Sequence, residues 1–167
     1  MCRAAVDPFR PPGLGQYGRA VRGLSGDALL LLPIRLHGIA IGRAVDLIVD
    51  PDGRILGVDV LCRDEQHRFL PLAAAEVLDD EIRVESALTL LEDRELAFYR
   101  ERGRTLTGLR GSTVLRGDKP AGPLRDVVVG DGGAIEALLV GENGTSRRIP
   151  FGTDVRFGDG RRRAPAA

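Results

Sequence analysis

The side chains best suited to metal binding are few in this sequence and lie far apart. His37 and His67 are its two histidines, and Cys2 and Cys62 are its two cysteines. Zinc sites usually draw their ligands from closely spaced pairs such as His-x-x-x-His or Cys-x-x-Cys, and no such pair occurs here. We therefore predict no metal site and no cofactor, and interpret each histidine as a partly exposed strand or turn residue.

Hydroxyl and thiol groups that could act as nucleophiles lack an activating sequence context. A catalytic serine or cysteine requires a base nearby, and motifs such as Gly-x-Ser-x-Gly hold it on a sharp turn. No such motif surrounds the candidate residues Ser25, Ser86, Ser112, Ser146 and Cys62. The sequence favours binding over catalysis, so we expect no catalytic residues and no enzyme activity.

Two acidic, glycine-rich segments resemble ligand loops only in part. Asp50-Pro51-Asp52-Gly53 is similar to the start of a calcium loop but lacks the later ligands and the terminal glutamate. Residues 130–133, Gly-Asp-Gly-Gly, lack the Lys-Ser/Thr ending and the following helix of a phosphate loop. Both segments are better explained as hairpin turns.

Arginine clusters are the remaining candidates for a binding site. Arg147-Arg148 and Arg161-Arg162-Arg163 could contact an anion, such as ribosomal RNA or phospholipid headgroups, because guanidinium groups pair with oxyanions. Against this, Lys+Arg and Asp+Glu are both 24, and only 4% of the residues are aromatics that could stack on bases. We favour a solvated hairpin end and a solubilising tail, and expect nucleic-acid contact only through the ribosome.

The composition is that of a protein that folds in water, with 43% hydrophobic and 29% charged residues. Its longest apolar stretch, residues 28–34, falls well below the roughly 20 residues of a membrane-spanning helix and predicts a buried strand. No apolar run of signal-peptide length precedes Gly23. We expect a cytoplasmic protein, and peripheral membrane association stays open.

An internal repeat organises the chain. Residues 46–60 match residues 126–140 without a gap, and Asp46, Val49, Gly53, Ile55 and Val60 recur identically, 80 residues later. In the second copy, Asp126 corresponds to Asp46 and Gly133 corresponds to Gly53. Each copy predicts a β-hairpin, in which the glycine supplies the left-handed turn conformation.

A second repeated pattern follows each hairpin. Pro71 and Pro150 each end a short strand, and an apolar residue, a turn and an acidic-Val pair come next. In the first copy, residues 81–85 alternate between charged and apolar types, which predicts an edge strand with one wet face.

Residues 89–103 carry the best helix signal in the chain. Thr89 and Glu92 have the spacing of a capping box, basic residues lie near the end, and Gly103 is placed to stop the helix. The sequence predicts a helix between the copies that packs on a barrel.

These features together resemble the PRC-barrel family, which includes the cytoplasmic part of the photosynthetic reaction-centre H subunit and the C-terminal domain of a ribosome maturation factor. The matching positions are Gly42, 46–60, 71–72 and 76–77 in the first copy and Gly122, 126–140, 150–151 and 154–155 in the second. The second copy departs from the first in having Leu139 in place of Asp59, so the outer surfaces of the copies should differ.

The resemblance implies a mainly β fold of two small PRC-type β-barrels in tandem, joined by one α-helix. The expected divisions are a flexible arm (1–27), a first repeat (28–88), a connecting helix (89–103), a second repeat (104–157) and a disordered basic tail (158–167). The implied role is a non-catalytic adaptor that binds another protein or a larger complex. The alternatives are a ribosome-associated assembly factor and a peripheral cytoplasmic subunit of a membrane complex, and a homo-oligomer stays open.

Overall fold

The computed structural model of the chain describes residues 23–158. Within that range the protein is mainly β-structure in two sheets, one of which curls into a half-barrel. Its strands are β1 (Leu24–Ser25), β2 (Pro33–Leu36), β3 (Ile39–Val49), β4 (Ile55–Cys62), β5 (His67–Pro71), β6 (Glu76–Val77), β7 (Ile82–Val84), β8 (Arg104–Thr105), β9 (Thr113–Arg116), β10 (Lys119–Val129), β11 (Ile135–Val140), β12 (Arg147–Pro150) and β13 (Val155–Phe157). Its α-helices are α1 (Gly26–Leu31), α2 (Asp93–Arg102) and α3 (Leu106–Leu109). The predicted mainly β fold class is confirmed.

Both predicted hairpins form. Strands β3 and β4 are antiparallel neighbours, and so are β10 and β11. Gly53 and Gly133 lie in the turns with φ of 82° and 78°, a left-handed conformation that glycine adopts without steric cost. The repeat in the sequence is therefore also a repeat in the structure.

The two copies exchange short strands. The first sheet has the order β5-β4-β3-β2-β7-β6, and β8 from the second copy pairs with β3. The second sheet has the order β12-β11-β10-β9-β13, and β1 from the start of the first copy pairs with β10. The exchanged pairs are equivalent, because Leu24 lies opposite Val129 and Arg104 lies opposite Val49. Each sheet is completed by residues of the other copy.

One large hydrophobic core also joins the copies. It contains Leu47 and Val58 from the first hairpin and Val127 and Leu138 from the second, all fully buried. Removing these surfaces from water together makes the packing of each copy depend on the other. The finer prediction, two separate barrels joined by one helix, is not confirmed by this arrangement.

The apolar run at residues 28–34 is divided between a helix and a strand, so the prediction of one buried strand is wrong. The hydroxyl of Ser25 accepts a hydrogen bond from the N–H of Ala28 at 3.1 Å and caps α1. Leucine favours helix strongly, and α1 buries Leu29 while Leu31 stays 84% exposed. Four residues assigned to the N-terminal arm, 24–27, belong to β1 and α1, and residues 1–22 lie outside the described range.

The predicted helix at 89–103 exists but begins later. Residues 87–89 form a 3₁₀ turn in which the hydroxyl of Thr89 donates to the carbonyl of Ser86 at 2.6 Å. Thr89 is therefore not an N-cap, and the predicted capping box is wrong. Gly103 does end α2, and its close approach to Ile48 explains the glycine, since a Cβ there would lie 2.7 Å from Cγ2 of Ile48.

The two copies end differently. Strand β7 lies between β2, to which it is parallel, and β6, so the predicted edge strand at 81–85 is an interior one. The predicted alternation of buried and exposed residues in β7 is confirmed, since Ile82 and Val84 are buried and Arg83 is exposed. Such alternation shows which face of a strand is buried, but it does not show whether both of its edges are paired. In the second copy, β13 pairs directly with β9 instead.

Candidate binding groove between the two copies

The repeated aspartates connect the copies. Asp46 accepts a hydrogen bond from the backbone N–H of Thr107 at 3.2 Å, and Asp126 accepts one from the N–H of Asp27 at 3.0 Å. Each carboxylate also accepts from the N–H of the residue that follows it. The aspartates are only 9% and 5% exposed, and each caps the start of a helix in the other copy.

The repeated turn glycines are covered in the same reciprocal way. A Cβ on Gly53 would lie 2.0 Å from the ring of Phe151, and a Cβ on Gly133 would lie 2.8 Å from Cδ2 of Leu72. Phe151 and Leu72 each follow the proline that ends a strand, and those prolines occupy equivalent register positions, Pro150 opposite Ala137 and Pro71 opposite Gly57. The aspartates and glycines of the predicted signature thus lie at the joint between the copies, and the two prolines precede the residues that cover the turns.

The same joint leaves a groove on one side. Phe151 stacks on Phe157 with 5.7 Å between ring centroids. Leu72 is smaller, and the residues that follow it at 73–75 are alanines. A groove of about 800 Å³ is lined by this segment and by the turn at 130–133. Its apolar lining includes Leu29, Leu72, Val77 and Val129.

Charged side chains also line this groove between the copies. Arg83 pairs with Glu76 at 3.2 Å and with Glu81 at 2.9 Å. The hydrogen bond that Arg83 donates to Glu81, together with the charges of both carboxylates, raises the pKa of Arg83 above its ordinary value. Arg54 lines the groove and has no ion pair within residues 23–158. Ser86 and Thr89 also line the groove, and Leu88, which lies between them in the chain, is 89% exposed. The groove therefore combines apolar side chains, charged groups of both signs and an apolar neighbour at its side.

A second cavity, of about 730 Å³, surrounds Arg110. Its guanidinium contacts the carboxylate of Asp27 and lies 3.4 Å from that of Asp126. Burial lowers the pKa of Arg110, but the hydrogen bonds and charges of both aspartates outweigh it and raise that pKa. Arg110 thereby links Asp27 of the first copy to Asp126 of the second, although its buried Nε has no hydrogen-bond partner among the described residues.

The first copy contains a buried charge cluster whose mutual contacts could not be predicted from the sequence. Asp59 is 1% exposed, its Oδ1 lies 2.8 Å from Nδ1 of His67, and its Oδ2 pairs with Arg100 of α2. A carboxylate that orients an imidazole is a feature of catalytic dyads. Here the arginine also neutralises it, and the cluster fastens α2 to β4. The signal in the sequence is the aspartate itself, since the second copy has Leu139 at this position.

The histidines and cysteines are dispersed. His37 lies in the exposed turn after β2 with a φ of 49°, and Cys62 is a buried free thiol at the end of β4. Within the described part of the chain, no three His, Cys, Asp or Glu residues form a group that could hold a metal ion.

Only Arg147 and Arg148 of the predicted anionic contact lie in the described range. Arg147 and Arg148 are adjacent on β12, and consecutive strand residues point to opposite faces. Arg147 donates to the carbonyl of Ala121 at 2.8 Å, and Arg148 lies 3.9 Å from Glu136. The other predicted residues, Arg161, Arg162 and Arg163, lie outside the described residues, as does most of the predicted tail.

Comparison with models of known protein families and with curated protein sequences finds no match to this chain. None of the helices within residues 23–158 is long and apolar enough to cross a membrane.

Proposed function

We propose that this chain is a non-catalytic protein-interaction module of the PRC-barrel type, with two small barrel units in tandem, and that it binds another protein or a larger complex in the cytoplasm. The binding surface is the groove between Leu72 and the turn at 130–133. One observation carries the proposal: the equivalent turn in the second copy is covered by stacked phenylalanine rings, whereas Leu72 alone covers this one and a groove lies beside it.

The lining of the groove suits a polypeptide. Apolar side chains and glycine backbone form its floor, and the exposed Leu88 extends the apolar surface beside it. Binding sites of this kind gain affinity from a central apolar contact and orientation from a few charges at the edge.

The charged clusters of the molecule support binding rather than catalysis. Asp59 is held by His67 and Arg100, and Asp126 is held by backbone N–H groups and Arg110. Their lone pairs are used within the fold, which leaves them poorly placed to exchange protons with a substrate.

A pair of matched variants tests the proposal. Ala74 is exposed in the groove, and Thr153, exposed at the matching position after Phe151, is outside its lining. Once a partner is identified by cross-linking in the native cell, its affinity for the purified full-length chain is measured by calorimetry. We expect Ala74→Arg to weaken binding by about tenfold or more, and Thr153→Arg to leave it unchanged. Equal binding by both variants, or turnover of a metabolite by the purified chain, would overturn the proposal.

A further inference from the structure

The second copy shows what can cover a hairpin turn of this fold. The Phe151 ring lies directly over Gly53, and Phe157 stacks on it with an interplanar angle of 28°. At the equivalent Gly133, the nearest side-chain atom is Cδ2 of Leu72. The first copy thus has Leu72 in the place of Phe151, and residues 73–86 contain no aromatic side chain that could stack there.

We infer that the groove accepts an aromatic side chain of the partner polypeptide, and that a carboxylate next to this side chain pairs with Arg54. The inference rests on the proposed function and names the chemistry of the partner. An aromatic ring is the group that the second copy itself uses at this joint, and aromatic side chains bring the largest apolar area to an interface.

The charges around the groove are consistent with a single carboxylate. Arg83 is already held by Glu76 and Glu81, whereas Arg54 has no ion pair within the described residues. An exposed ion pair adds little affinity, but it orients the ligand and excludes partners of the wrong charge. Because Glu85 and Asp131 also line the groove, a strongly acidic segment would be repelled.

Small probes separate the ring from the charge. N-acetyl-L-phenylalanine carries both, its amide carries only the ring, and N-acetyl-L-leucine carries only the charge with an aliphatic group. Each is titrated into the ¹⁵N-labelled full-length chain while amide resonances are followed by NMR. We expect N-acetyl-L-phenylalanine to shift the amides of 73–75 and 130–133 saturably, and N-acetyl-L-leucine to bind more weakly.

Variants test each contact. Arg54→Gln should lower the affinity for N-acetyl-L-phenylalanine by about twofold to fivefold and leave the affinity for its amide unchanged. Ala74→Arg should abolish the shifts, whereas Thr153→Arg should preserve them. Binding of the leucine probe as tight as that of the phenylalanine probe, or no saturable shift at these amides, would overturn the inference. If the probes failed in this way but Ala74→Arg still weakened binding of the protein partner, the proposed function would stand and only the aromatic contact would be rejected.

Two other occupants give distinct results. Tighter probe binding by a Phe9→Ala/Tyr17→Ala double variant would identify the chain's own N-terminal segment as the occupant and overturn the inference. Shifts of the same amides on dilution of the free protein would identify a second copy of the chain and overturn it equally.

Discussion

The carboxylate of Asp46 accepts a hydrogen bond from the backbone N–H of Thr107, 61 positions later in the chain and in the other copy of the repeat. Asp126 makes the equivalent bond to Asp27. The two bonds are related by the same offset as the repeat, so the fold has an approximate twofold relationship between its halves. The identity of these aspartates in the repeat has a direct physical reason, since each half supplies a carboxylate that accepts from an N–H in the first turn of a helix in the other half.

Removing this carboxylate should destabilise the whole fold. Asp46→Ala leaves two backbone N–H groups without their acceptor, at a cost of about 1–3 kcal/mol in the free energy of unfolding. Chemical denaturation measures the loss. Asp118→Ala, which removes an exposed aspartate in the turn before β10, serves as the control and should change stability by less than about 0.5 kcal/mol. An Asp46→Ala protein as stable as this control would contradict the role of the bond.

The sequence predicted the hairpins and the signature residues but not what these residues contact. The match of 46–60 with 126–140 establishes that two similar units exist. It carries no information on whether β1 pairs within its own copy or with β10, because both pairings satisfy the same local pattern. Exchange of strands depends on contacts far apart in the chain, which periodicity does not encode.

The groove was beyond prediction for a related reason. It arises from the difference between Leu72 and Phe151, two apolar residues that occupy the same place in the pattern. Only the structure shows that Phe157 packs on Phe151 at one turn, whereas a groove lies beside Leu72 at the other. By contrast, Asp59 was visible as a departure from the repeat, although its partner on α2 was not.

Gly53 and Gly38 provide a matched test of the joint. Both have a left-handed φ, 82° and 81°, but a Cβ on Gly38 meets nothing within 4 Å whereas one on Gly53 meets Phe151. Gly38→Ala should cost about 1–2 kcal/mol from backbone strain alone. Gly53→Ala should cost about 1–3 kcal/mol more from overpacking, as measured by thermal and denaturant unfolding.

The smaller side chain of a Phe151→Leu variant should relieve that overpacking. In a double-mutant cycle, the cost of Gly53→Ala should therefore fall when Phe151 is replaced by leucine, with a coupling of about 0.5–3 kcal/mol. Additive costs would show that the ring does not press on this turn.

The attachment of α2 should depend on the charge of Arg100. Arg100→Ala leaves the buried carboxylate of Asp59 with His67 as its remaining side-chain partner, so we expect a loss of about 1–3 kcal/mol in the free energy of unfolding. Arg94→Ala, an exposed change on the same helix, should be nearly neutral. If the double variant Asp59→Leu/Arg100→Leu restored none of the stability, the burial of an unpaired charge would not be the cause.

Asp64 offers a test by titration. Its carboxylate accepts two hydrogen bonds from Arg68, at 2.9 and 2.6 Å, and one from the N–H of Gln66, and these lower its pKa. Because the folded-state pKa lies below the unfolded one, the contribution to stability is present above the unfolded pKa and is lost as the pH falls through the folded value. Arg68→Gln should raise the pKa of Asp64 towards its ordinary value in a ¹³C NMR titration. Arg116→Gln, which removes an arginine paired with Asp154, should leave that pKa where it is.

Neither copy should form a folded monomer by itself. A fragment of residues 1–88 lacks β8, the second half of the shared core and the acceptor that Asp126 provides for α1. We expect it to be unfolded or to associate with itself, since a second fragment can supply β1 in the place of β8. Mixing it with residues 89–167 should restore a dispersed NMR spectrum at the mass of one full chain in sedimentation equilibrium. A dispersed spectrum from a monomeric 1–88 fragment would contradict this prediction, because it would show that the exchanged strand and the common core are dispensable.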